Sequence, residues 1–75
     1  MEKSKNLKEL GVDVGVAIFA ARTKSGLTQE KLADKMKTSQ SALSAIENGS
    51  RLPSWTMLLR ISKALGEDIL VNIEI

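Results

Sequence analysis

Apolar residues recur at helical spacing through most of this chain. Val14, Ala17, Ile18 and Ala21 fall on one stripe, which predicts a helix over residues 14–24. Asp13 is placed to cap it and Gly26 to stop it. Val16, Phe19 and Ala20 widen its apolar surface beyond the stripe. A second helix is predicted over 29–36. Thr28 is its N-cap, Leu27 and Leu32 form a hydrophobic staple, Glu30 suits the helix dipole, and Leu32, Ala33 and Met36 face inward. Only Lys37 and Thr38 separate it from the next cap, Ser39. The third helix runs from Gln40 to about Asn48. Leu43 and Ile46 anchor it and Ala42 fits a close contact, while Gln40, Ser41, Ser44 and Ala45 leave another face polar or small. Gly49 follows, suited to a left-handed conformation. After a loop over 50–53, Ser54 caps a fourth helix over 55–65, with Leu58, Ile61 and Leu65 on one face and Trp55 closing one end of the core. Gly66 stops it.

The two ends differ from this pattern. Residues 1–11 are polar and end in Gly11, which reads as a flexible arm or a short irregular helix. In 69–75 the spacing changes. Val71, Ile73 and Ile75 alternate with Asn72 and Glu74, the period of a half-buried strand. A lone strand leaves its edges unpaired. It is therefore expected to pair across a dimer or with a strand of another protein.

Composition narrows the function. At 75 residues the chain is one small domain, and 43% apolar content favours a folded one. With neither His nor Cys, the usual zinc, haem and iron–sulfur ligands are missing, as are thiol and imidazole chemistry. No close acidic cluster supports a magnesium site, and no GxSxG elbow, P-loop or paired-carboxylate motif supports catalysis. No enzyme activity and no cofactor are expected. No apolar run approaches the roughly 20 residues that span a bilayer. The charged opening MEKSKNLKELG is not a secretory signal pattern. A cytoplasmic protein with no membrane partner is expected. The net charge of +2 decides little, but its distribution is uneven. Residues 22–51 carry Arg22, Lys24, Lys31, Lys35, Lys37 and Arg51 against Glu30, Asp34 and Glu47. The last ten residues carry Glu67, Asp68 and Glu74 and nothing basic. One region can approach phosphates while another avoids them.

Two short helices with a tight connection and flanking helices have the spacing of a helix-turn-helix. Such a motif needs a supporting helix, a second helix with small or hydrogen-bonding groups for the major groove, and surroundings that tolerate phosphate. The stretch TQEKLADKMKTSQSALSAIENG meets all three. It resembles the lambda repressor and Cro type of helix-turn-helix domain, the XRE family. The matching residues are Gly26-Leu27-Thr28-Gln29, Leu32-Ala33, Ser39-Gln40-Ser41, Leu43-Ser44, Ile46-Glu47-Asn48-Gly49, Pro53-Ser54 and Leu65-Gly66. The resemblance implies a compact bundle of four or five helices that binds double-stranded operator DNA as a homodimer. With the terminal strand, the expected architecture is mainly α: an arm over 1–12, a helix-turn-helix domain over 13–66 and a dimerisation strand over 67–75.

Residue roles follow from the same resemblance. Gln40 reads bases, and Gln can contact adenine bidentately. Ser41 and Ser44 are adjacent groove contacts. Gln29 and Asn48 contact phosphate, and Arg22 and Glu47 form an internal ion pair. Lys37 stands where the family commonly has Gly. A left-handed Lys there costs about 1 kcal/mol but adds positive charge near the DNA backbone. Blander readings stand beside these. Gln29 and Gln40 could be ordinary first-turn polar residues, Ser41 and Ser44 solvent-facing serines, and Lys31, Lys35 and Lys37 a solvated face. Arg51 suits phosphate contact and plain exposure equally.

The ending GEDILVNIEI is similar to the antitoxin branch, HigA- or HipB-like proteins, in which terminal strands of two subunits pair. Ile69, Val71, Ile73 and Ile75 would form that dimer strand. An antitoxin would repress its own operon and also bind a toxin protein. The alternatives are a plain phage-type or housekeeping transcriptional regulator without a toxin partner, and a toxin-binding module that does not read DNA.

Overall fold

A computed structural model describes residues 6–66 and Ile69 of the chain. Four helices follow in order: α1 (Leu7–Lys24), α2 (Gln29–Met36), α3 (Gln40–Glu47) and α4 (Trp55–Leu65). Side-chain caps set where three of them start. Thr28 Oγ1 accepts from the Lys31 N–H, Ser39 Oγ from that of Ala42 and Ser54 Oγ from that of Met57, each at 3.1 Å.

The first helix starts well before the expected cap at Asp13. Asn6 is the N-cap, its Oδ1 accepting the Glu9 N–H at 2.8 Å. Residues 7–12, read as part of an arm, are helical, and 1–5 lie outside the described residues. Gly11 does not break the helix because its bare face lies against Gly49 of the loop after α3. A Cβ there would sit 3.2 Å from the Gly49 carbonyl oxygen.

α3 lies between α1 and α2, and α4 packs on both α1 and α2. Ile18, Leu32, Leu43, Ile46, Ile61 and Ile69 are the large side chains sealed in the core. Full burial of each stabilises the fold by about 1.5–3 kcal/mol relative to exposure. Val14, Ala17 and Ala21 line the inner side of α1 as its spacing predicted, whereas Val16 and Phe19 stay exposed. The Arg60 guanidinium of α4 donates to the Met36 carbonyl, tying α4 to the end of α2.

Two expectations need correction. Trp55 does not close the core: it is 62% exposed, because the first residue of α4 lies beyond the stripe formed by Leu58 and Ile61. The described residues are all helix, turn and loop, with no β-strand among them, so the architecture is a four-helix bundle. Alternation in the sequence places Ile69 in a dimer strand. It is instead fully buried in the monomer's own core, with its N–H donating to Ser62 Oγ at 3.3 Å. An isoleucine that fills the intramolecular core has no side chain left to offer a partner strand. Val71, Ile73 and Ile75 lie outside the described residues.

Candidate nucleic-acid interface

The α2–α3 junction depends on one unusual backbone conformation. Lys37 takes φ 57 and ψ 46, the only positive φ at a non-glycine among the described residues. Bending there lets the Thr38 N–H reach the Ala33 carbonyl at 2.9 Å and the Lys37 N–H the Asp34 carbonyl at 3.1 Å. These two bonds satisfy carbonyls at the end of α2, as a Schellman turn does. Lys thus occupies the position where glycine is the easier fit, and its side chain stays exposed.

α3 is pinned from below by Leu43 and Ile46, each 1% exposed. Its outer side carries Gln40 and Ser41, both exposed, and Ser44, half-buried. Asn48 follows on the same side, exposed, its Oδ1 accepting the Ser50 N–H at 2.9 Å. This leaves the Asn48 amide group as the donor end. Ser50 Oγ and the Ser50 and Arg51 N–H groups all converge on the Ala45 carbonyl, which shapes the loop and leaves the Arg51 side chain exposed.

An ion pair lies behind the outer side of α3. Arg22 of α1 grips Glu47 of α3 with Nε to Oε2 at 2.7 Å and Nη2 to Oε1 at 3.0 Å. Arg22 Nη1 donates to the Leu27 carbonyl at 2.7 Å, and its guanidinium lies 5.3 Å from the Phe19 ring centre. Gln29 joins the same cluster, Nε2 donating to Glu47 Oε1 at 3.1 Å. The side chains of Arg22 and Glu47 are only 10% and 4% exposed. Burying such a pair is costly unless its remaining donors and acceptors are satisfied, and here Glu47 accepts three bonds. One carboxylate thereby links α1, α2 and the end of α3.

The cluster changes the view of Gln29. One of its two amide hydrogens is committed to Glu47. Sequence reasoning missed this bond, since nothing local joins residues 18 positions apart. It also missed the glycine seam of α1. At Gly15 a Cβ would lie 2.4 Å from the Glu47 carbonyl oxygen and 2.6 Å from that of Ile46. The signal was available: Gly11 and Gly15 are one helical turn apart inside an otherwise helical pattern.

This geometry is matched by known proteins. The Helix-turn-helix family model matches residues 18–71, more than two thirds of the chain.

The chain belongs to the helix-turn-helix family.

An uncharacterized HTH-type transcriptional regulator from Methanothermobacter thermautotrophicus is 37% identical over 52 residues, covering 69% of this chain and 75% of that protein. Multiprotein-bridging factor 1 of Candida albicans is 35% identical over 60 residues, covering 80% of this chain. This chain spans only 40% of that factor's length. Among solved structures, the clp gene regulator ClgR from Corynebacterium glutamicum superposes with a TM-score of 0.79 at 30% identity, covering 84% of this chain and 70% of that one. The family model and these relatives are of helix-turn-helix, regulator and bridging-factor type, and none of them is named for a catalytic activity. No helix among the described residues is long and apolar enough to cross a membrane.

Proposed function

We propose that the chain is a transcriptional regulator that lays α3 in the major groove of double-stranded DNA. One observation carries this reading: Gln40 and Ser41 project to solvent from a helix whose opposite side is sealed in the core. Gln40, Ser41 and Ser44 contact base edges. Gln29, through its second amide hydrogen, and Lys37, Asn48 and Arg51 contact phosphates. The half of the chain that carries α2 and α3 has the cationic excess such contacts need.

A single α3 of eight residues offers few base contacts. Two copies on an operator with two half-sites supply enough for specificity, and occupancy of a promoter then represses it. The antitoxin reading leaned on a terminal strand whose first residue, Ile69, is buried in the core instead. The regulator without a toxin partner is the reading kept.

Selection of bound duplexes from a random pool tests it, followed by titration of the selected site. A defined sequence preference is expected, with affinity falling steeply as salt rises. Gln40→Ala should lose about 1–3 kcal/mol of discrimination at one position of each half-site while nonspecific binding stays. Correctly folded protein that enriches no sequence at low salt would overturn the reading.

A further inference from the structure

We infer that Gly15, buried in the middle of α1 and remote from the reading side, sets the specificity of DNA recognition by fixing where α3 sits. The inference rests on the reading of α3 as the DNA-contacting helix. Gly15 is a positioning residue, since the atoms nearest to where its Cβ would stand are backbone at the rear of α3.

The seat is tight. A Cβ on Gly15 would lie 2.4 Å from the Glu47 carbonyl oxygen, 2.6 Å from the Ile46 carbonyl oxygen and 2.9 Å from the Glu47 carbonyl carbon. All three are main-chain atoms of the last turn of α3, so no side-chain rotation can relieve the contact. Ordinary van der Waals separation begins at 3.4 Å, so the end of α3 would have to retreat by about 1 Å.

That retreat is not free to be a simple translation. The Glu47 side chain is held to Arg22 at 2.7 Å and to Gln29 at 3.1 Å, and Leu43 and Ile46 are sealed in the core. A helix pushed at its last turn, with Leu43 sealed in the core near its middle and Glu47 tethered to Arg22 and Gln29, tilts about Leu43. Gln40 lies seven residues from Glu47, about 10 Å along the axis, so tilt moves it relative to the groove. Base-edge hydrogen bonds tolerate only a few tenths of an ångström, whereas phosphate contacts from flexible Lys and Arg adapt. A displaced α3 therefore loses sequence discrimination before it loses DNA.

Gly11 supplies a graded control on the same seam. Its Cβ would meet the Gly49 carbonyl oxygen at 3.2 Å, a much smaller push on the loop just after α3. Alanine is also the better helix former, so neither substitution weakens α1 itself.

The test uses the full chain, the duplex selected by wild type and the same duplex with the Gln40-dependent base pair changed. Affinities for both are measured with Gly15→Ala and Gly11→Ala, at a temperature where circular dichroism shows each variant folded. Gly15→Ala should cut the ratio between the two sites by about tenfold, the size of one ordinary mismatch, with nonspecific low-salt affinity within about twofold of wild type. Gly11→Ala should cut it by less, about threefold. A purely structural role would lower the melting temperature and leave the ratio of the folded protein alone. A folded Gly15→Ala with the wild-type ratio overturns the inference. If Gly15→Ala does not fold, Gly11→Ala decides, and an unchanged ratio there overturns it equally. A wild-type chain with no sequence preference overturns the DNA reading, and this inference with it.

Discussion

The two ends of α3 are built on opposite principles. At the front, Ser39 caps the helix with a single 3.1 Å bond, and the next two residues, Gln40 and Ser41, stand free of the bundle. At the rear, Glu47 is wedged against the backbone seat at Gly15, gripped by Arg22 and held by Gln29. The front is left open to whatever it meets, and the rear supplies the rigidity. A short helix has little stability of its own, so its aim must come from tertiary contacts. The comparison teaches that the groups which fix the aim of a short helix need not be near the face it presents.

The rear is where substitution should act hardest. Arg22→Met leaves the Glu47 carboxylate buried without its charge partner and should cost about 3–5 kcal/mol, measured by urea denaturation. Arg22→Met combined with Glu47→Leu should recover much of that loss, since apolar residues of similar volume often replace a buried pair without penalty. A double variant as unstable as the single one would mean that the rear is held mainly by the glycine seat. At the front, Ser39→Ala should cost about 1 kcal/mol, the ordinary loss of an N-cap. A loss at Ser39 equal to that at Arg22 would erase the contrast between the two ends.

Lys37 sharpens the comparison from outside the helix. Its φ of 57 is one that glycine adopts without strain. Lys37→Gly should therefore stabilise the fold by about 0.5–1 kcal/mol in the same denaturation experiment. With Lys37 contacting phosphate as proposed, the same change removes that charge, so the slope of log affinity against log salt should fall by about one unit. Stability and DNA affinity would move in opposite directions from one substitution.

Much of this arrangement could be read from local signals. Thr28, Ser39 and Ser54 announce three helix starts, and α2 and α4 run over the residues their apolar spacing predicts. Long-range effects were not legible. The polar first turns of α1 fold as helix because Gly11 finds Gly49 across the bundle, a contact between residues 38 apart. Trp55 looked like core bulk in a chain with two aromatic side chains, Trp55 and Phe19, yet six aliphatic residues seal the interior without it. Ile69 shows the reverse case. Its strand-like neighbourhood hid a core position that only the end of α4 could define. At the interface, the outward position of Gln40 and Ser41 follows from their place just after a cap. The sharing of Gln29 between α2 and Glu47 could be seen only once the helices were assembled.

The exposure of Trp55 has a practical side. It is the chain's sole tryptophan and stands in the first turn of α4, where its indole is already mostly in contact with water. Intrinsic fluorescence will therefore change little when the bundle melts and is a poor gauge of unfolding. The same indole becomes a sensitive optical beacon for anything that settles over the start of α4, since dehydration there would shift its emission to the blue against a quiet background.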